Sequence, residues 1–409
     1  MTAPVDDRQI YPPSLSGKGS GFAAGGSVLD HAFGKGDPYT LGVEEEYMLL
    51  DSETFDLVQH IDTVLEAIAG HELESRINPE LMQSVLEIAT PVCRTPAEVD
   101  RELRQLRGYV TGIAREQSLR VGSAGTHPFS LFERQRITAR DRYRHLVDQM
   151  QYIARRELIF GLHVHVAVDD PEKAIQVVNG LLAHLPQLLA LSASSPFWRG
   201  EPTGLSSSRQ MVFAAFPRSG PPPRFRDYAD YAEVVGQLEK TGCIADYTHI
   251  WWDIRLHPRL GTVEIRICDA VTRVEDAVAL AAFCQSLVKL YCESYEAGEA
   301  IPSYHRILTT ENKWLAARYG LEAPVMDLAT GRRNRVPVAQ LVRRTLRDVE
   351  PHARELGCEA ELEGIRAILS RGNGADRQLR VFNANRDIVE VARELADATE
   401  VAATSTAAA

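Results

Sequence analysis

The run Gly42-Val43-Glu44-Glu45-Glu46-Tyr47-Met48-Leu49-Leu50 decides the reading of this chain. In a strand, alternate side chains share a face, so Glu44 and Glu46 fall on one side. Val43, Glu45, Tyr47 and Leu49 fall on the other. The same alternation recurs downstream. In Gln83-Ser84-Val85-Leu86-Glu87-Ile88-Ala89, Gln83 and Glu87 share a face, opposite Ser84, Leu86 and Ile88. In Leu162-His163-Val164-His165-Val166-Ala167-Val168, the valines point one way and both histidines the other. In Thr262-Val263-Glu264-Ile265-Arg266-Ile267, Glu264 stands with Arg266 on the polar side.

Four strands with apolar backs would bring their fronts together if they share a sheet. Clustered carboxylates repel unless a cation or a proton intervenes. An oxygen-rich site with imidazoles suits Mg²⁺ or Mn²⁺, with substrate phosphates completing the shell. A sheet with one wet face shows the same alternation without any site. Glu87 weighs against that reading, because it lies in an otherwise apolar stretch where an unpaired carboxylate is costly. The Glu264/Arg266 pair, taken alone, also reads as a simple surface ion pair.

Strand-like runs lie near 40–50, 81–90, 119–125, 159–168, 250–256 and 262–268, with helix-like segments between them. Thr95-Pro96-Ala97-Glu98 opens a helix over 96–116 with a capping box and proline at the first position. Asp170-Pro171 opens another. Beyond about 270 the pattern is mainly helical (274–298, 337–356, 386–399), interrupted at Arg371-Gly372-Asn373-Gly374. Residues 1 to about 38 are rich in Gly, Pro and Ser and read as a mobile tail, as does the end over 401–409. Ser16-Gly17-Lys18-Gly19-Ser20 has the wrong spacing for a phosphate loop and no strand before it. One catalytic domain over 39–400, helical from 273, is the expected organisation.

The whole chain has 409 residues, 44% hydrophobic and 25% charged, with a net charge of -11, which argues against a general nucleic-acid binder. The six cysteines form no CxxC or zinc spacing and read as reduced thiols. No apolar run approaches the roughly 20 residues a membrane span needs, and no signal-peptide pattern opens the chain. A cytoplasmic protein without membrane or nucleic-acid partners is expected. A homodimer is only the base-rate expectation.

Five runs in series, TLGVEEEYMLLD (40–51), ELMQSVLEIATPV (80–92), FGLHVHVAVDD (160–170), TGLSSSRQMVFAAFP (203–217) and GTVEIRICDAVT (261–272), resemble the signatures of the glutamate–cysteine ligase type 2 family. These carboxylate–amine ligases belong with the glutamine synthetase-like enzymes. The resemblance covers about residues 38–380. It implies an α+β fold, a curved and mainly antiparallel sheet backed by helices, with nucleotide and metals on the concave side. It further implies that Glu44, Glu46, Glu87 and Glu264 hold the divalent ions that grip ATP. His163 would stand at the metal and phosphate edge, with His165 beside it, and Arg266 would bind transferred phosphate or the acidic substrate. Arg209, Arg255 and Gln83 are further anion-binding candidates, each arginine also readable as structural. The implied reaction phosphorylates a carboxylate, by default the γ-carboxylate of glutamate, and passes the acyl group to cysteine or another amine. A non-catalytic nucleotide- or metabolite-binding homologue and a phosphotransferase acting on a guanidine or amine are the alternatives. The Gly- and Pro-rich segment 217–224 reads either as a cover over the site or as a stiff surface connection.

Overall fold

A computed structural model describes residues 30–302, 304–330 and 334–400. Its centre is a seven-stranded antiparallel sheet of β1 (Leu41–Asp51), β2 (Ile77–Pro79), β3 (Val85–Ala89), β4 (Leu119–Gly122), β5 (Gly161–Ala167), β6 (Ile254–His257) and β7 (Thr262–Asp269). The spatial order is β6-β7-β5-β1-β3-β2, and β4 pairs with the far half of β1. The register sets Glu44 against His163, Glu46 against Glu87, and His165 against Glu264. Directly opposed residues on one face have Cβ atoms about 4.5–5.5 Å apart. Strand pairing alone therefore draws these side chains together.

The back of the sheet is the core. Val43, Tyr47, Leu49, Leu86, Ile88, Val164, Val166, Val263 and Ile265 are buried there with Leu103, Leu106 and Val110 of the helix Pro96–Glu116. The helix Val274–Glu296 is apolar on nearly every side because other helices surround it while it packs against β1 and β5. The Pro96–Glu116 helix starts as its sequence demands. Thr95 Oγ1 accepts from Glu98 N at 3.3 Å, and the Glu98 carboxylate accepts from Arg94 N at 2.7 Å. Asp170 likewise caps the helix Pro171–Leu181. The break at 371–374 is real: one helix ends at Arg371, Gly372 takes φ 91°, and Asn373 caps the helix Gly374–Asn385.

Buried charge sits behind the sheet as well as in front. Glu45 meets Arg107 with both side chains essentially inaccessible, and Tyr47 donates its hydroxyl to the same carboxylate. A second pair joins Lys313 to both oxygens of Asp253 at 2.7 Å.

Part of the stretch expected as a mobile tail is packed against the fold. Phe33 is buried in the core, Ala32 N donates to Pro258 O and Gly34 N to Val168 O, so residues 32–34 dock against the chain just beyond the ends of β5 and β6. Gly34 has φ 79°, and a Cβ there would meet Asp169 O at 2.6 Å. Only glycine fits that approach. Ser16–Ser20 and 401–409 lie outside the described residues. Among the described residues no single helix is long and apolar enough to cross a membrane. One pair, Pro171–Leu181 and Leu185–Ser192, passes that test together, but it is bent by 68° and both helices belong to the buried core.

Candidate active site

The polar front of the sheet opens into a cleft of about 320 Å³, within the roughly 300–1,000 Å³ usual for small-molecule sites. Of the ten residues singled out in the sequence, nine line it: Glu44, Glu46, Glu87, His163, His165, Arg209, Arg255, Glu264 and Arg266. Gln83 does not. Alternation from Glu87 back to Gln83 fails because β3 begins only at Val85, after a turn in which Val85 N bonds Met82 O. That turn takes Gln83 out of the pleat.

Glu44 is the hub. Its oxygens lie 3.1 Å from His163 Nδ1 and 3.5 Å from His165 Nε2. Two groups share it: Glu44, His165 and Glu264, and Glu44, Glu87 and His163, each with one ligand atom per residue within 4.8 Å of the others. Burial pushes the Glu44 carboxyl up, but the His163 hydrogen bond and the nearby His165 ring outweigh it and hold the group well below the usual range. Glu87 has no such support. Burial first, then the charges of Glu44, Glu80 and Glu46, push it well above the usual range. His165 Nε2 is buried and makes no hydrogen bond.

Glu46 belongs to neither group. Its Oε2 accepts from Gly161 N at 2.6 Å, and burial together with Glu80 raises its carboxyl to about 7. Glu264 is already paired: Arg255 grips both of its oxygens at 2.7 and 3.0 Å, and Arg266 adds a further bond. Burial opposes its ionisation, yet the two arginines hold it well below the usual range. Arg255 is thus committed to Glu264 and to the carbonyls of Thr248 and Ile250. Arg266 keeps its Nε buried and unpartnered.

Arg209 is positioned by serines gathered around Asp269, one of them from the triple-serine run that precedes it. Asp269 accepts from Ser194 N, Ser195 Oγ and Ser207 Oγ at 2.7–3.0 Å, and Ser195 Oγ in turn receives Arg209 N at 3.1 Å. The guanidinium lies over Phe213, reaches two carbonyls only at 3.4 Å, and leaves Nε buried without a partner. Gly161 makes room for it, since a Cβ there would sit 2.5 Å from Arg209 Nη2 and 3.0 Å from His163 Nε2.

The segment 217–224 does not line the cleft. Ser219–Gly220 pairs with Trp251–Trp252, and Arg218 stacks on Trp251 at 5.4 Å. It buttresses the aromatic wall formed by Phe213, Phe216 and Trp251. Glu80, Arg142, Glu157 and His257 also line the cleft and escaped the sequence reading, because they lie in turns, a helix start and a strand end where no period marks them.

The profile of glutamate–cysteine ligase family 2 matches residues 40–397. A relative from Rubrobacter xylanophilus, provisionally named glutamate–cysteine ligase 2-1, is 44% identical over 364 residues, covering 89% of this chain and 96% of its own. Among solved structures, the glutamate–cysteine ligase of Francisella tularensis, in complex with AMP, superposes with TM-score 0.63 at 13% identity, covering 90% of each chain. A bifunctional glutathione synthetase from Pasteurella multocida superposes with TM-score 0.66 at 16% identity, over 89% of this chain and 52% of its own. The strand register, the cleft and these likenesses agree, and the chain belongs to glutamate–cysteine ligase family 2, as a carboxylate–amine ligase.

Proposed function

We propose that this chain uses ATP to convert a carboxylate into an acyl phosphate and then passes the acyl group to an amine, by default glutamate to cysteine. The observation that carries the reading is Glu44, shared between two groups of metal-type ligands on one floor. The donor set fits divalent cations: carboxylate and imidazole atoms within 4.8 Å, a buried His165 Nε2 that makes no hydrogen bond and faces two carboxylates, and a Glu87 carboxyl driven up for want of positive charge. Glu44, Glu87, His163 and His165 would hold them, with Glu264 and Glu46 at the margin. When bound, Mg²⁺ or Mn²⁺ neutralises phosphate oxygens and so makes the γ-phosphorus open to attack.

Arg209 and Arg266, each with a buried unpartnered Nε, serve the anions. Their forks suit a phosphoryl group in flight or the carboxylate that attacks it. Glu264 and Arg255 fix Arg266 in its place. No covalent enzyme nucleophile is needed. Five of the six cysteines are buried, and burial pushes the Cys93, Cys268, Cys284, Cys292 and Cys358 thiols up, the reverse of activation. Six free thiols also suit the cytoplasm.

The test is ADP release from purified protein with MgATP, glutamate and a panel of amines. The proposal expects release that requires a carboxylate and an amine together. Release with an amine or guanidine alone would make the protein a phosphotransferase, and no release with any pair would leave it a binding protein.

A further inference from the structure

We infer that Glu157 is the group that receives the acceptor amine, binding its ammonium and removing the proton that blocks attack on the acyl phosphate. The assignment rests on the acyl-phosphate reading above. Glu157 lines the same cleft as the Glu44 floor but belongs to neither group of metal-type ligands. Its Oε2 is buried without a hydrogen-bond partner. Its backbone is fixed, since Glu157 N bonds Ala154 O at 3.1 Å and the flanking Leu158 and Phe160 are buried.

Neither nearby arginine makes a hydrogen bond to it. Arg156 lies over Tyr152 and donates to Val212 O at 3.3 Å. Arg209 reaches two strand carbonyls only at 3.4 Å and makes no hydrogen bond to Glu157, and Glu46 adds like charge. A buried carboxylate in that state needs a proton or a cationic ligand. Burial accordingly pushes the Glu157 carboxyl up to about 8, against the charges of Arg209 and Arg156 and with that of Glu46. A primary ammonium supplies both the positive charge and the proton.

The step balances. The ammonium gives one proton to Glu157, and the freed nitrogen pair forms the C–N bond. The acyl C–O bond to phosphate then breaks, and its electron pair leaves with the phosphate. The second nitrogen proton departs on that phosphate as hydrogen phosphate.

The test separates the two half-reactions of full-length protein. Oxygen-isotope scrambling in ATP, with glutamate and no amine, reads acyl-phosphate formation; amide formation with L-cysteine reads the second half. Glu157→Gln is expected to scramble like wild type, to form amide at least 100-fold more slowly with a raised KM for the amine, and to use hydroxylamine nearly normally, because that nucleophile is largely unprotonated at neutral pH. Glu157→Asp should recover part of the loss, and it carries the same comparison if the glutamine variant does not fold. Loss of scrambling in step with amide formation, an unchanged amine KM and rate, or an equal loss with hydroxylamine would overturn the assignment. Wild-type protein that scrambles no ATP with any carboxylate would overturn the acyl-phosphate reading itself, and this assignment with it.

Discussion

Arg107 and Glu45, 62 positions apart, form a bidentate ion pair behind the sheet, with Arg107 Nε 2.9 Å from Glu45 Oε2 and both side chains shielded from water. The pair pins the Pro96–Glu116 helix to β1, directly beneath the strand that carries Glu44 and Glu46. Arg107 Nη1 also donates to Thr272 O at 2.7 Å, tying in the chain just after β7. Removing one member leaves an uncompensated buried charge, which typically costs about 3–5 kcal/mol. Arg107→Ala should lower the unfolding free energy by about that amount in denaturant melts, and Arg107→Met with Glu45→Leu should restore much of it.

His127 supplies a pH prediction remote from the cleft. Its Nδ1 accepts from Phe129 N and Ser130 N, and its Nε2 lies 2.9 Å from Phe55 O, an arrangement that only the neutral ring satisfies. Burial pushes the imidazole down to about 4. Between that value and the ordinary 6.5, the unfolded chain binds more protons than the folded one, so stability rises with pH across this window. It is fully present above about 6.5 and is lost as pH falls through about 4. Urea melts from pH 7 to pH 4 should show His127→Gln losing up to about 3 kcal/mol less than wild type over that range.

Arg209 tests the anion site apart from the metal floor. Arg209→Ala should cut kcat/KM for ATP by about 100-fold, the scale of losing one preorganised donor. Asp269 retains its three hydroxyl and amide donors in that variant, so melting should change little. A variant that keeps full ATP turnover would return Arg209 to a structural role.

Glu87 makes a prediction about stability without metal. Its carboxyl is pushed well above the usual range by burial and by Glu44, Glu80 and Glu46. The folded state therefore holds this proton more tightly than the unfolded state, and stability falls as pH rises above the ordinary carboxylate range. In EDTA at neutral pH, Glu87→Gln should melt at a higher temperature than wild type. Added Mg²⁺ should raise the wild-type Tm and move that of the variant far less. Calorimetric scans with and without the ion check both.

How much of this was legible depended on whether the signal was local. The pleat has a period of two residues, so Glu44 with Glu46, His163 with His165, and Glu264 with Arg266 could be paired on sight, and antiparallel pairing then set them side by side. Gln83 shows where that logic stops: a turn before Val85 breaks the period, and nothing in the residues themselves announces it. Arg107 looked like any polar residue of an amphipathic helix, because its partner lies in another element. Glu157 and Glu80 carry no period and are gathered only by tertiary packing. The run Ser206-Ser207-Ser208-Arg209 stands out in the sequence, but the part of Ser207 with Ser194 and Ser195 in holding Asp269 depends on tertiary packing.

The central claim is that carboxylates and imidazoles from separate strands are brought together to hold divalent cations for a nucleotide. Mn²⁺ binding, followed by electron paramagnetic resonance with and without ATP, tests it most directly on wild type and Glu44→Gln. The account predicts that wild type holds Mn²⁺, more tightly with ATP present, and that the variant loses most of this binding while its melting profile stays cooperative. Equal Mn²⁺ affinity and stoichiometry in the two proteins would contradict it.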